Sequence, residues 1–307
     1  MNELIEKIKT LKKEKNAVIL AHCYQNVEID EVADFVGDSL YLSQKANETN
    51  ADIIVFAGVY FMAQTAKLLS PDKKVLLPRL ESGCRMADMI DLEQVKEFKS
   101  KHPDIPVVCY INSTAEVKSE CDICCTSSNA INIVKSLGAK EVLFLPDTYL
   151  GKWVEAQLGN VKVTTYPGFC PTHLQIKPQD ILDARKKYPN AKVLAHPECH
   201  QEVTKLADYV GSTTGIMKYA IDSDEKQFII ATEKGVVERL ERDYVDKQFI
   251  LIKNSVVCPN MKWHTLEDIY DALLNERHEI TVDENIAKKA VKCIDRMLDV
   301  SKQLVKK

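Results

Sequence analysis

Several features that mark common protein classes are missing from this sequence of 307 residues. Basic residues are not in excess, because 41 lysines and arginines stand against 45 aspartates and glutamates, for a net charge of −4. Without a basic stripe, no nucleic-acid partner is expected. No apolar run approaches the roughly 20 residues needed to span a bilayer, so no membrane partner is expected either. The amino terminus is charged and amphipathic rather than a signal peptide, and we predict a cytosolic protein.

Cysteine, by contrast, is plentiful, with ten residues. Structural disulfides are not expected in a reducing cytosol, so burial, metal binding or catalysis must account for these thiols. Cys109 lies in a predicted strand and Cys293 in a predicted helix, and we interpret both as buried packing residues. The run Cys121–Cys125 lacks the second cysteine pair that a zinc site of this spacing needs, and we interpret it as loop and helix-cap packing.

Three of the cysteines recur with a fixed period. Cys84, Cys170 and Cys258 each follow a β-rich run, with spacings of 86 and 88 residues. The stretch 166–173 ends one such run in a proline-containing turn that presents Cys170 and His173 three residues apart. A cysteine and a histidine placed in this way can face one cavity.

Other landmarks keep the same period. Apolar runs end at His22, Tyr110 and His196, small polar clusters open helical patterns at Gly37–Ser39, Cys125–Ser127 and Gly211–Thr213, and a further strand pattern covers 53–57, 142–145 and 228–231. Repetition at a fixed period is the signature of a repeated structural unit. Since short strands alternate with amphipathic helices, each unit is predicted to be a parallel sheet covered on both faces.

The fold class that we predict is α/β, with three homologous three-layer α/β/α domains that arose by internal triplication. We expect them to surround a pseudo-threefold axis, with the active site in a central cavity. The predicted domains are residues 1–88, 89–176 and 177–262. Residues 263–307 form two predicted helices without a counterpart in the other units, and we expect them to pack on the first domain.

The periodic side chains lie at the carboxyl ends of strands, where parallel sheets bind ligands. We interpret Ser39, Ser127 and the pair Ser212-Thr213 as helix caps. Helix amino termini hold carboxylates and phosphates through free backbone N–H groups. The cavity is therefore predicted to bind small anions.

Three thiolates from distant strands are compatible with two kinds of metal centre. A catalytic zinc takes three protein ligands and a water. A cubane iron–sulfur cluster normally takes four cysteines, and with three it keeps an iron open to act as a Lewis acid. Repetition of a core position would also place three cysteines at equivalent sites without any metal.

Glu198, two residues after His196, is the best candidate for a general base. A loop carboxylate in a dry cavity can have its pKa raised toward the working pH. A carboxylate on a surface loop is the alternative interpretation of the same residue.

Eight short motifs resemble one known family. They are, in chain order, His22–Tyr24, Gly37–Ser39, Tyr110–Asn112, Cys125–Ala130, Pro167–His173, His196–Cys199, Gly211–Thr213 and Cys258–Met261. These motifs are very specific and span nearly the whole chain, and in them the sequence resembles the quinolinate synthase (NadA) family.

The resemblance implies an enzyme of the transferase class that condenses iminoaspartate with dihydroxyacetone phosphate. The products are quinolinate, phosphate and water, for NAD biosynthesis, and a functional link to the enzyme that supplies iminoaspartate is expected. It also implies one 4Fe–4S cluster that is held by Cys84, Cys170 and Cys258 and keeps one iron open as a Lewis acid. The implied substrate-binding residues are His22, Ser39, Tyr110, Asn112, Ser127, His173, His196, Glu198, Ser212 and Thr213, and the implied catalytic residues are Glu198, Tyr24, Tyr110, His22 and His196.

The sequence departs from some family members at the carboxyl terminus. Those members carry a Cys-x-x-Cys-x-x-Cys run, whereas only Cys293 is present here, so a thiol switch of that type is not expected. Two other functions stay open: a zinc-dependent hydrolase of a phosphorylated small molecule, and a non-enzymatic iron–sulfur carrier or sensor. A carrier normally has fully ligated irons and no use for anion-binding helix caps, which favours an enzyme.

Overall fold

The computed structural model describes the backbone of residues 1–305 and the side chains of residues 1–303. Within that range twelve strands form three sheets of four strands, and all strand pairs within the sheets are parallel. No helix in the described part of the chain is both long and apolar enough to cross a membrane.

The three sheets repeat one topology. The first contains β1 (Ala17–His22), β2 (Phe35–Gly37), β3 (Ile53–Ala57) and β4 (Lys74–Leu76), in the spatial order β2-β1-β3-β4. The second contains β5 (Val107–Tyr110), β6 (Ile123–Cys125), β7 (Glu141–Leu145) and β8 (Lys162–Thr165), in the order β6-β5-β7-β8. The third contains β9 (Lys192–Ala195), β10 (Tyr209–Val210), β11 (Gln227–Ala231) and β12 (Gln248–Leu251), in the order β10-β9-β11-β12. The predicted architecture of three α/β domains is confirmed, and the boundaries between them stay a prediction.

Helices connect the strands and cover the sheets. They are α1 (Asn2–Glu14), α2 (Ser39–Glu48), α3 (Tyr60–Leu69), α4 (Leu92–Ser100), α5 (Ala115–Lys118), α6 (Ala130–Ser136), α7 (Thr148–Leu158), α8 (Pro178–Lys187), α9 (Gln201–Thr204), α10 (Thr213–Asp222), α11 (Lys234–Asp243), α12 (Leu266–Asn275) and α13 (Glu284–Val305). Short 3-10 helices lie at Val27–Glu31, Ala87–Met89, His173–Gln175 and Pro259–Lys262.

The central strand β1 shows why each unit has layers on both sides of its sheet. Val18 and Leu20 face one core, whereas Ile19 and Ala21 face a second core that contains Ile8 of α1. Successive side chains of a strand point to opposite faces, so a strand that is apolar throughout must be covered on both sides. Helices α1 and α12 cover one face of this sheet, and α2 and α3 accompany the other core.

The edge strands differ from the sequence prediction. The segment that ends at Gly37, for which the sequence indicated no strand, forms the edge strand β2 after a 3-10 helix. The run Cys121–Cys125, expected as loop and cap packing, contains strand β6. These edge strands have only two or three residues, which is too short to leave a recognisable pattern in the sequence.

The last helix does not pack where the sequence prediction placed it. Helix α12 packs on α1 and β3, within the first unit as expected. Helix α13 instead packs mainly against β6, α5 and α6 of the second unit. Cys293 Sγ lies 3.2 Å from Cys124 Sγ, and Ser301 Oγ accepts a hydrogen bond of 2.9 Å from Asn129 Nδ2. The expectation that all of 263–307 packs on the first domain therefore does not hold for most of the packing of α13, although α13 also contacts α3 of the first unit. Residues 306 and 307 lie outside the described part.

Candidate active site

One cavity of about 320 Å³ is lined by residues of all three units. The predicted site residues that line it are His22, Tyr24, Ser39, Cys84, Tyr110, Asn112, Ser127, Cys170, His173, His196, Glu198, Thr213 and Cys258. Ser212 is not among the lining residues, and its Oγ accepts a hydrogen bond of 3.1 Å from the N–H of Gly215.

Parallel strands bring the periodic residues to this cavity. His22 is the last residue of β1, Tyr110 is the last residue of β5, and His196 directly follows β9. These three strands hold the same position within their sheets. The carboxyl ends of parallel strands meet at one edge of a sheet, so a repeated topology presents equivalent side chains to a shared space.

The predicted helix caps are only partly correct. The cap of α2 is Asp38, whose Oδ1 accepts from the N–H of Tyr41, and Ser39 is the first helical residue. Helix α6 begins after Asn129, so Ser127 lies in the preceding turn. The cap interpretation is therefore wrong for Ser39 and Ser127, and it holds for Ser212 on α10. Aspartate and asparagine compete well for these positions.

His22 and His196 are buried and hold equivalent hydrogen bonds. Nδ1 of His22 accepts from the N–H of Tyr24 at 3.1 Å, and Nδ1 of His196 accepts from the N–H of Glu198 at 3.3 Å. Burial lowers the pKa of each histidine to about 3. Both rings are therefore neutral at physiological pH, and the proton is carried by Nε2.

Glu198 is buried and held from two sides. Its Oε1 accepts a hydrogen bond of 2.6 Å from Tyr110 Oη, and its Oε2 lies 2.8 Å from His173 Nδ1. Burial alone would raise the pKa of Glu198, but interactions with His196, His173 and Tyr110 outweigh it and hold that pKa below the usual range. The predicted upward shift of this pKa is therefore wrong in direction. The alternative of a surface carboxylate is also wrong, because Glu198 is buried.

Two buried tyrosines complete the polar wall. Tyr24 Oη lies 2.8 Å from Thr213 Oγ1 and 3.0 Å from Thr232 Oγ1. Burial and the nearby Glu198 charge raise the pKa values of Tyr24 and Tyr110 well above the ordinary value. Both phenols therefore stay protonated and can donate hydrogen bonds at neutral pH.

The three periodic cysteines fit a group that binds thiolates. Burial raises the pKa of Cys84 to about 12, and it also raises those of Cys170 and Cys258. Free thiols would therefore stay protonated, and a bound metal is needed to keep them as thiolates. Backbone N–H groups two or three residues further on partly oppose this rise in pKa, namely those of Met86 and Ala87, of His173, and of Asn260 and Met261.

A second metal arrangement overlaps this one. Ligand atoms of Cys170, His173 and Glu198 lie within 4.8 Å of one another, a set that zinc accepts. However, both oxygens of Glu198 already have partners, and His173 Nε2 lies 2.8 Å from Thr232 Oγ1. Zinc at this position would have to displace these contacts. Among the described residues, Cys170 is the only one of the three periodic cysteines whose sulfur bonds to a histidine or acidic side chain.

Arg85 and Thr232 belong to the site but were not identified from the sequence. Arg85 lines the cavity, and it is the only lysine or arginine that does so among the described residues. Its position directly after Cys84 was a usable signal. Thr232 is fully buried behind the cavity wall and directly follows β11, but nothing in its local sequence marks it as functional.

The remaining cysteine cluster lies away from the cavity. Cys124 and Cys293 are buried between β6 and α13, and Cys109 interacts with Cys121 and Cys124 in the same interior. None of these four lines the cavity in the part of the chain that the structure describes. Their placement agrees with the interpretation of these cysteines as packing residues.

Comparison with known proteins gives one consistent result. The model of the family described as quinolinate synthetase A protein (NadA) matches residues 6–299. The chain is 52% identical to quinolinate synthase of Alkaliphilus metalliredigens over 302 residues, covering 98% of this chain and 100% of that protein. It is 52% identical to quinolinate synthase of Dehalococcoides mccartyi over 300 residues (97% and 99%), and 50% identical to quinolinate synthase 2 of Methanosarcina acetivorans over 298 residues (97% and 96%). The chain therefore belongs to the quinolinate synthetase A family.

Proposed function

We propose that the chain acts as a quinolinate synthase in NAD biosynthesis, and that the shared cavity is its active site. There it condenses iminoaspartate with dihydroxyacetone phosphate and releases quinolinate, phosphate and water. The observation that carries this assignment is the meeting of three half-buried cysteines, one from each unit, with the buried Glu198 in one cavity.

Cys84, Cys170 and Cys258 would hold a 4Fe–4S cluster. With three protein thiolates, such a cluster supplies an open iron that acts as a Lewis acid toward a substrate oxygen. Nearby backbone N–H groups lower the pKa of each of the three thiols, against the larger effect of burial, and so support this ligand set.

The polar wall binds and orients the anionic substrates. Neutral His22 and His196 each keep an Nε2–H that donates to a carboxylate or a developing oxyanion without adding charge. Ser39 and Thr213 stand at the amino termini of α2 and α10, where free N–H groups favour anions. Asn112 Oδ1 is buried and has no hydrogen-bond partner among the described residues, so it is free to accept from a substrate hydroxyl or amine.

Glu198, Tyr24 and Tyr110 move or hold protons. Glu198 is ionised at neutral pH and can accept a proton from a substrate carbon or hydroxyl. Tyr110 Oη donates to this carboxylate and orients it. Tyr24 stays protonated and is held by Thr213 and Thr232 in the same cavity lining.

Anaerobic purification tests this proposal directly. A broad brown absorption with about four irons per chain, together with quinolinate formation from both substrates, is the expected result. Colourless protein that contains zinc, with a phosphatase activity, would favour the alternative hydrolase built on Cys170, His173 and Glu198. A brown protein without quinolinate formation would favour the iron–sulfur carrier.

Two further expectations accompany the proposed function. None of the ten cysteines forms a disulfide, and the cytosolic location stays a prediction. Iminoaspartate must be produced by an oxidation or condensation that forms a carbon–nitrogen double bond, so a functional link to that enzyme stays a prediction.

A further inference from the structure

Thr232 bonds to two cavity residues, Tyr24 and His173, that share no direct hydrogen bond among the described residues. Its Oγ1 lies 2.8 Å from His173 Nε2 and 3.0 Å from Tyr24 Oη. The residue is fully buried and does not line the cavity. Tyr24 comes from the first unit, and the ring centres of Tyr24 and His173 are 6.4 Å apart. Thr232 therefore bridges the cavity wall from behind.

His173 is held at both of its ring nitrogens. Its Nδ1 lies 2.8 Å from Glu198 Oε2 and 3.2 Å from Cys170 Sγ. A carboxylate only accepts hydrogen bonds, so Nδ1 donates to Glu198. Its Nε2 bonds to Thr232 Oγ1, a hydroxyl that can both donate and accept.

Two further hydroxyls continue the network. Tyr24 Oη lies 3.0 Å from Thr232 Oγ1 and 2.8 Å from Thr213 Oγ1. Hydrogen bonds therefore join Thr213, Tyr24, Thr232, His173 and Glu198 in one continuous series.

The repeat shows that the fold does not require this hydroxyl. The residue that directly follows the third strand of each unit is Gly58, Pro146 or Thr232. Neither glycine nor proline has a side-chain donor, yet both occupy the same place in the same topology. A buried hydroxyl is costly unless it is hydrogen-bonded, so its presence in one unit calls for a role specific to that unit.

We propose that Thr232 is a positioning residue for the quinolinate synthase reaction. Its hydroxyl holds both His173 Nε2 and Tyr24 Oη by hydrogen bonds, and so keeps the Tyr24 phenol and the His173–Glu198 pair in the geometry that the reaction needs. The inference deepens the proposed function and rests on it.

The test compares Thr232→Val, Thr232→Ala and Thr232→Ser with wild-type holoenzyme. Valine and alanine remove the hydroxyl, and we expect kcat to fall about ten- to a hundredfold, as expected when buried polar partners are left unpaired. KM for both substrates, iron content and the visible spectrum should change little. Serine keeps the hydroxyl and should restore kcat to within about threefold, since it offers the same donor and acceptor. Thr65→Val is the matched control, because Thr65 is also buried but bonds only to the carbonyl of Phe61.

Three outcomes would overturn the inference. They are a kcat near wild type in Thr232→Val or Thr232→Ala, an equal loss in Thr232→Ser, and an equal loss in Thr65→Val. If the valine variant does not fold, the comparison of alanine with serine decides the question alone. Failure of the proposed function is a separate result, because wild-type protein would then form no quinolinate at all.

Discussion

Tyr110 Oη donates a hydrogen bond of 2.6 Å to Glu198 Oε1, although the two residues belong to different repeated units. The bond crosses from the end of β5 to the loop after β9. Because His173 Nδ1 contacts the other oxygen at 2.8 Å, the carboxylate receives donors on both sides. An ionised carboxylate accepts at both oxygens, whereas an amide does not.

Replacing Glu198 by glutamine should therefore lower turnover strongly. The amide keeps the volume but turns an NH2 group toward Tyr110 or His173, and it cannot accept a proton. We expect kcat to fall by about 10²–10⁴, the usual contribution of general acid–base catalysis, with a smaller change in KM. Steady-state kinetics with each substrate varied in turn measures both constants.

Glu202→Gln is the matched control, since Glu202 is an exposed glutamate on α9 four residues away. It should keep wild-type kinetics. A Glu198→Gln enzyme with normal kcat and normal KM would remove Glu198 from the catalytic set.

Much of the fold was accessible from the sequence because it is repeated. Three copies of each landmark let weak local signals support one another, so that three parallel α/β units could be predicted. The edge strands were missed because β10, for instance, has only two residues. Helix α13 was misplaced because an apolar stripe shows that a helix is buried but not which surface it covers.

The sequence predicted which residues form the site better than it predicted their chemistry. Residues at strand ends, such as His22 and His196, follow from the topology. The protonation state of Glu198 does not follow from the topology. It depends on whether burial or the neighbouring donors have the larger effect on its pKa, and that balance depends on interatomic distances. Thr232 was missed for the same reason, since its partners come from other units.

Replacing any of the three periodic cysteines should lower the iron content of the protein, whereas replacing the other thiols should not. Cys84→Ala, Cys170→Ala and Cys258→Ala each remove one of three thiolates, and a cubane cluster held by two is expected to be lost. Iron and sulfide analysis of anaerobically purified variants measures this directly. Retention of the full cluster in any variant would exclude that residue as a ligand.

Cys121→Ser, Cys124→Ser and Cys293→Ser serve as controls. These thiols lie between the second sheet and α13, away from the cavity. Each should keep the full iron content per folded chain. A lower unfolding temperature is expected for Cys124→Ser and Cys293→Ser, because a hydroxyl replaces a fully buried thiol.

Acidification should destabilise the protein through its buried histidines. His22 and His196 have pKa values near 3 in the folded state, against 6.5 in the unfolded chain. Between these values the unfolded state binds more protons, so the free energy of unfolding falls as pH drops below 6.5. Two such groups predict a loss of about 2–3 kcal/mol between about pH 7.5 and 5.5.

Urea unfolding at several pH values, followed by circular dichroism, measures this slope. His22→Gln and His196→Gln should each reduce the slope by a similar amount, and the double variant should reduce it further. An unchanged slope in the double variant would show that other groups cause the acid sensitivity.

Arg85 should control how the cavity receives anionic substrates. The cavity wall carries the ionised Glu198, and Arg85 is its only lysine or arginine among the described residues. Iminoaspartate and dihydroxyacetone phosphate are both anions, so they meet a repulsive interior unless a cation attracts them. Arg85→Gln should raise KM for at least one substrate about tenfold, consistent with the loss of a charge-assisted hydrogen bond, and change kcat less. Salt should raise the wild-type KM more than that of Arg85→Gln, because ions screen an exposed charge.

Two further variants test whether the charge of Arg85 itself attracts the substrates. Arg85→Lys should recover part of the affinity, because it keeps the charge but loses the planar fork that binds carboxylate or phosphate at two points. Arg277→Gln removes another exposed arginine, one that pairs with Asp271 and does not line the cavity, and should leave both KM values unchanged. If Arg85→Gln keeps wild-type KM values and the wild-type salt dependence, the substrates are held by neutral donors alone. In that case His22, His196 and the amino termini of α2 and α10 must supply the whole attraction.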